Sequence, residues 1–196
     1  MLSIKAIRKI DVYYYTIFGL IVTGIAALFY LRDTSFVIQL ALIPMITSVT
    51  EIIFEKYRTG KISFPSSAII TGLIIALVLP ASSWYIQIVA ALAAILQKQL
   101  LRHDNRHIFN PAAFGLLIAW LAFGIQPAWW GGITPVLFLF LFSDYLIGRL
   151  PLSLTFYLIY IGLVIISSYF QFGSSSLNLI SYPILFFALV MVVEPK

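Results

Sequence analysis

Long apolar runs alternate along this chain with short polar or basic connections. The runs are Tyr13–Leu31, Ser35–Phe54, Ser66–Pro80, Trp84–Leu101, Asn110–Gly124, Ala128–Gly148, Leu152–Phe172 and Leu177–Val193. Most approach the roughly 20 residues a helix needs to cross about 30 Å of hydrocarbon. Ser66–Pro80 (SSAIITGLIIALVLP) and Asn110–Gly124 (NPAAFGLLIAWLAFG) have 15 residues each. As helices they reach only about 22 Å. The pattern predicts an all-α polytopic membrane protein with about eight transmembrane segments, two of them short. Residues 1–196 read as one integral membrane domain.

Both short segments open on capping chemistry. Pro65-Ser66-Ser67 offers hydroxyls to the first free N–H groups, and Asn110 precedes a proline at the first helical position. A helix that starts within a membrane presents unpaired N–H groups and a positive dipole end to a polar or anionic ligand. Paired short helices point to a site near the membrane middle. The plainer alternative is two thin, tilted spans packed by small residues. Ser66–Pro80 contains ALVLP and the last segment contains ALVMVVEP, a faint echo that fits an inverted repeat.

Composition sharpens the class. The chain is 62% apolar and 10% charged, with a mean hydropathy of +1.04. Soluble domains carry about 25% charge. With no cysteine, disulfides, thiolate metal sites and thiol catalysis are excluded. The basic start and following apolar run read as a first transmembrane helix, because no small-residue cleavage site follows. The net charge of +5 is explained by topology rather than by nucleic acid. If every segment crosses from a cytoplasmic N-terminus, Lys5, Arg8, Lys9, Lys56, Arg58, Lys61, Lys98, Arg102, Arg106, Arg149 and Lys196 fall on the cytoplasmic side, and only Arg32 falls outside. That is the positive-inside distribution. It predicts a multi-pass protein of the cell inner membrane with both termini cytoplasmic.

Three stretches resemble the RnfD/NqrB family, the membrane subunits of Rnf-type complexes and of sodium-pumping NADH:quinone reductase. Ser67–Pro80 (SAIITGLIIALVLP) is similar to the family's first short helix. Lys98-Gln99-Leu100, with Phe109-Asn110-Pro111-Ala112 ten residues on, resembles its K-Q-L…F-N-P-A motif. Met191–Lys196 (MVVEPK) is similar to the start of its D/E-P-x-T-S-P motif. The resemblance implies two inverted repeats with short helices, a fold related in shape to urea and ammonium channels. It also implies a subunit that holds a flavin in the membrane, relays electrons and couples this to sodium or proton movement. The chain departs from the family twice. The flavin-attachment motif D-x-x-S/T-G-A-T has its nearest match in Gly131-Gly132-Ile133-Thr134, where Ala128 replaces the leading acid and Ile133 the alanine. Those departures argue against covalent attachment at Thr134 and for FMN or riboflavin held non-covalently. The chain also stops inside the last motif, so it is read as incomplete relative to the family at its C-terminus.

The candidate cofactor-binding residues are Ser66, Ser67, Thr71, Gly72, Asn110, Pro111 and Thr134. Each has a plainer reading: Asn110 and Pro111 as a helix start, and Thr71 and Gly72 as a close helix contact. Glu51 and Asp144 are candidates for an ion path, since intramembrane carboxylates are costly. Against that, Glu51 is within reach of Lys56 or Arg58, and Asp144 of an interfacial partner near Arg149. His103 and His107 stand four apart, but Asp104, Asn105 and Arg106 between them read as a solvated basic loop, and no metal site is assigned. Trp84, Trp129, Trp130 and Tyr13–Tyr15 read as interfacial anchors. No dinucleotide fingerprint, P-loop or nucleophile elbow is present. Nicotinamide oxidation is therefore expected elsewhere, on other redox subunits or an appended soluble flavin or iron–sulfur domain docked on the cytoplasmic side. Membrane lipid is the other expected partner. The competing functional classes are a channel or carrier for a small polar solute and a scaffold subunit without a cofactor.

Overall fold

The computed structural model describes residues 12–32, 35–80, 84–103, 106–129, 139–169 and 189–190. Within them the chain forms α1 (Val12–Leu31), α2 (Ser35–Thr59), α3 (Ser66–Val78), α4 (Trp84–Leu100), α5 (Pro111–Phe123), α6 (Leu139–Ile147) and α7 (Leu150–Tyr169). α4 and α5 are joined by a small antiparallel ladder, β1 (Arg102–His103) with β2 (Arg106–His107). The ends of the basic connection expected there pair in this ladder, and α4 and α5 lie side by side.

Apart from that hairpin the described architecture is helical, as the apolar pattern predicts. α1 and α2 are long and apolar enough to cross a membrane. α3 and α5 are short, with 13 residues each, or about 20 Å. Local chemistry explains both lengths. Pro80 biases the residue before it away from helical backbone, and Leu79 is extended with φ −87° and ψ 149°. α5 begins at Asn110, whose side chain accepts from the Ala113 N–H at 3.0 Å, with Pro111 next. It ends at Gly124, which takes the left-handed conformation at φ 68° that glycine adopts without penalty.

α3 is the centre of the fold. Every residue from Ile70 to Leu79 is buried, and α1, α2, α4 and α5 all pack on it. The closest crossing is with α2. A Cβ on Gly72 would lie 2.5 Å from Pro44 Cα and 2.5 Å from Thr47 Oγ1. α5 rests on α4 in the same way, since a Cβ on Gly115 would lie 2.5 Å from the Ala90 carbonyl oxygen.

Where α3 stops, its last carbonyls lack helical partners, and neighbouring groups supply them. Gln39 on α2 donates through Nε2 to the Ala76 and Leu79 carbonyls. Gln87 on α4 donates to Pro80 O at 2.7 Å and to Gln39 Oε1 at 2.8 Å. The Ala128 and Trp129 N–H groups both reach Val78 O, at 2.7 and 3.1 Å. Irregular backbone is tolerated at membrane depth where protein buries it in this way.

The distribution of side chains suits a hydrocarbon solvent. Phe18, Phe29, Ile38, Met45 and Ile53 face outward, while Thr23, Gln39, Thr47, Thr71 and Gln87 are buried. The Thr23 and Thr71 hydroxyls bond back to the carbonyls of Gly19 and Ser67 one turn earlier, and Thr47 donates across to Ala68 O on α3 at 2.8 Å.

Several sequence-based boundaries move. α2 runs on to Thr59 rather than ending near Phe54, because Glu55–Arg58 continues the helix beyond the apolar stretch. Ala128 and Trp129 are not helical, so the sixth segment does not begin at Ala128. Trp129, expected as an interfacial anchor, packs against the core. Trp130, Thr134, most of Leu177–Val193 and the terminal MVVEPK lie outside the described residues.

Candidate functional site: a buried ion pair where two short helices begin

The last turn of α4 carries Gln97, Lys98 and Gln99 in succession. Lys98 is buried, with its side chain 7% exposed, and its Nζ lies 2.9 Å from Glu51 Oε1. The same ammonium donates to Ser67 Oγ at 3.1 Å. One cation thereby ties α2, the first turn of α3 and the end of α4 together.

The helical register explains why Glu51 reaches this point. Phe36, Gln39, Ile43 and Thr47 are the buried positions of α2, and Glu51 continues the four-residue spacing of the last three on one face. The expectation that Glu51 would pair with Lys56 or Arg58 is therefore corrected. Both of those lie exposed in the last turn of α2, whereas Glu51 faces inward and meets Lys98.

The serines also behave differently from the expectation. The start of α3 has no side-chain cap, and its N-cap position is Pro65. Proline there carries no side-chain acceptor, and the Ser67 hydroxyl is engaged by Lys98 instead. Ser66 is half-buried, and its N–H goes to Phe64 O at 2.9 Å. Thr71 sits one turn further on, donating to Ser67 O at 2.9 Å. Gly72 faces α2 at the helix crossing.

Asn110 and Pro111 begin α5, which packs along α4. Ala90 and Ala94 face Gly115, and Gln97 follows on that face at the helical spacing. The hairpin returns the chain directly, with Ile108 N–H bonded to Leu101 O at 3.3 Å. The end of α4 thus packs against α5 and, through Lys98, holds the start of α3.

This region contains several unmatched polar atoms. Glu51 Oε2, both amide atoms of Gln97 and Gln99 Nε2 are buried without a hydrogen-bond partner. Gln97 is only 3% exposed. Buried polar groups are normally paired, and these atoms are the exceptions in this part of the fold. Asp144 belongs to a different place. It is 1% exposed on α6 and accepts a hydrogen bond from the Ser153 hydroxyl of α7. The partner anticipated near Arg149 is thus Ser153.

A family model described as the NQR2, RnfD, RnfE family matches residues 4–180. The chain belongs to that family. Among its relatives, the D-type subunit of the ion-translocating oxidoreductase complex of Shigella boydii is 29% identical over 114 residues, covering 56% of this chain and 32% of the relative. Proteins of the same description from Shigella sonnei and Escherichia coli align with the same identity and coverage. The match thus spans about a third of these relatives' length. No solved structure matches the chain.

Sequence reasoning placed Lys98 among the cytoplasmic basic residues and did not single out Gln97, Gln39 or Gln87. The signal was present: a lysine three residues inside the predicted Trp84–Leu101 span is an intramembrane charge, which by default has a partner and a role.

Proposed function

We propose that this chain is the membrane subunit of an ion-translocating oxidoreductase complex, holding a flavin, FMN or riboflavin, non-covalently within the membrane and relaying electrons. Family membership supports the complex. The observation that carries the cofactor is the set of unmatched polar atoms on Gln97, Gln99 and Glu51, lying where α3 and α5 begin. In this reading Ser66, Ser67, Thr71 and Gly72 from α3 and Asn110 and Pro111 from α5 border the ligand. The flavin would supply the electron chemistry; the chain would position it and exclude water. Thr134 is the remaining candidate contact.

The chain is read as multi-pass, with both termini cytoplasmic and the basic connections facing the donor subunits or an appended soluble redox domain. Glu51 and Asp144 are the carboxylates proposed for the ion path. Both are held inside the helical bundle rather than at its surface.

The test is the absorbance spectrum of protein purified in detergent, followed by titration with FMN and riboflavin. Bound flavin in near-stoichiometric amount supports the reading; no chromophore and no uptake of either compound refutes it. The second reading is a channel or carrier for a small polar solute. A net-neutral buried polar cluster favours it, since such a seat also suits an uncharged solute. Solute flux in liposomes by chromophore-free protein would decide for it.

A further inference from the structure

The connection from α2 to α3 stands clear of the bundle, and every residue from Lys56 to Phe64 is exposed. The stretch is folded back on itself, because the Ser63 hydroxyl donates to Glu55 Oε2 at 2.6 Å. Between those two residues lie Lys56 and Arg58, in the last turn of α2, and Lys61, just after the left-handed turn at Gly60. Glu55 is the one acid set against these three cations among the described residues of this end, since Glu51 is paired with Lys98. A helix dipole accounts for cations in a last turn. It does not account for the large apolar side chains among them: Tyr57 is 94% exposed, and Ile62 and Phe64 also face outward.

Two exposed apolar stripes lead to this connection. On α2, Met45, Val49, Ile53 and Tyr57 are exposed at four-residue spacing along one face. The 25 residues of α2 reach about 37 Å, past the roughly 30 Å of hydrocarbon, so the stripe leaves the hydrocarbon at the basic turn. On α1, Tyr14, Phe18, Ile21 and Ile25 are exposed, and Tyr14 stacks on Phe64 with ring centroids 5.9 Å apart. Surface suited to acyl chains thus continues directly into exposed cations. We propose that Lys56, Arg58 and Lys61 seat the phosphate of an anionic phospholipid whose acyl chains lie along the α2 stripe. An acidic protein face would match the cations but not a stripe that runs on into the hydrocarbon. The headgroup takes the membrane-facing edge of the connection, beside any donor docked on the same face. The inference rests on the membrane-spanning reading and is independent of the flavin.

The experiment reconstitutes the full chain in phosphatidylcholine bilayers and measures how much spin-labelled phosphatidylglycerol and spin-labelled phosphatidylcholine the protein immobilises. Wild type is expected to favour phosphatidylglycerol about fivefold at low salt, the scale of one basic side chain at an anionic headgroup. Most of that preference should disappear in about 1 M salt. Replacing all three cations, Lys56→Gln, Arg58→Gln and Lys61→Gln, should bring the preference within about twofold of unity. Lys56→Arg with Lys61→Arg should retain it. Equal immobilisation of the two lipids by wild type overturns the inference and leaves the cations to an acidic protein face. A preference undiminished in the triple glutamine variant also overturns it, as does displacement of the labelled lipid by equimolar sn-glycerol 3-phosphate, which would make this a site for free phosphate. None of these results touches the flavin reading. Wild type that does not enter bilayers at all overturns the membrane-spanning reading as well. The wild-type lipid comparison and its salt dependence stand even where a variant does not fold.

Discussion

Lys98 and Glu51 meet 2.9 Å apart between α4 and α2, and the contact is almost wholly removed from solvent. Desolvating two charges is expensive, and removing one partner strands the other. Lys98→Met and Glu51→Met are each expected to cost about 3–5 kcal/mol. The double replacement should recover most of that loss, because two apolar side chains of similar volume leave no orphan charge. Thermal unfolding of the purified variants in detergent checks this. A double variant no more stable than either single one would show that the pair is not the coupling between these helices.

The α2–α3 and α4–α5 crossings depend on missing side chains. Gly72→Ala and Gly115→Ala place a methyl 2.5 Å from Pro44 Cα and from the Ala90 carbonyl, both backbone atoms that cannot swing away. Overpacking of this kind costs about 1–3 kcal/mol. Gly162→Ala on α7 meets nothing within 4 Å and gains helix propensity, so it should be neutral or mildly stabilising. Midpoints of thermal unfolding for the three variants should separate the first two from the third.

Gln87 and Gln39 close the end of α3. Gln87→Leu leaves Pro80 O and Gln39 Oε1 without their shared donor. Each unmatched buried acceptor costs about 1–3 kcal/mol. The expected loss is local as well as global. Hydrogen exchange at Ala128 and Trp129, whose N–H groups bond Val78 O in the same cluster, should quicken in Gln87→Leu relative to amides in α1. Unchanged protection there would mean that the glutamine bridge does not secure this end of the helix.

The sequence was informative where the physics is local. Asn110-Pro111 and Gly124 bracket α5 within a residue of the prediction, because a cap, a proline and a left-handed glycine act on their own neighbours. Leu79-Pro80 stops α3 for the same kind of reason. What the apolar pattern could not convey was which polar residue faces which. Ser67 is expected to cap its own helix and instead accepts a hydrogen bond from Lys98, 31 residues away. Glu51 was assigned to nearby lysine and arginine, although its four-residue spacing from Thr47 already set it on the inner face. Of the candidate site, the two short-helix starts were legible in the sequence; its cation and its free carboxamide come from α4, a helix read as an ordinary span.

Asn110 allows the helix cap to be separated from any contact with ligand. Asn110→Ala removes the acceptor for the Ala113 N–H and should cost about 1 kcal/mol. Asn110→Asp keeps that acceptor and should keep most of the stability, while adding a negative charge at the start of α5. If the Asn110 amide also touches a flavin, Asn110→Asp should weaken flavin uptake severalfold with little change in the unfolding midpoint. Equal losses of uptake and stability across the two variants would confine Asn110 to its capping role.

The proposed topology is open to a direct test because the chain contains no cysteine, so every introduced thiol is the only one present. Ser63, exposed between α2 and α3, and Gln126, exposed after α5, lie on opposite sides if the segments cross in turn. Ser63→Cys should react with a membrane-impermeant maleimide only after the cells are opened. Gln126→Cys should react in intact cells once the outer barrier is made permeable. Both positions lie outside the helices, so neither change should disturb packing, and unchanged unfolding midpoints would confirm that the labelled proteins are folded. Labelling of both thiols from the same side would remove the cytoplasmic assignment of the α2–α3 connection, and with it the placement of the donor-facing surface on Lys56, Arg58 and Lys61.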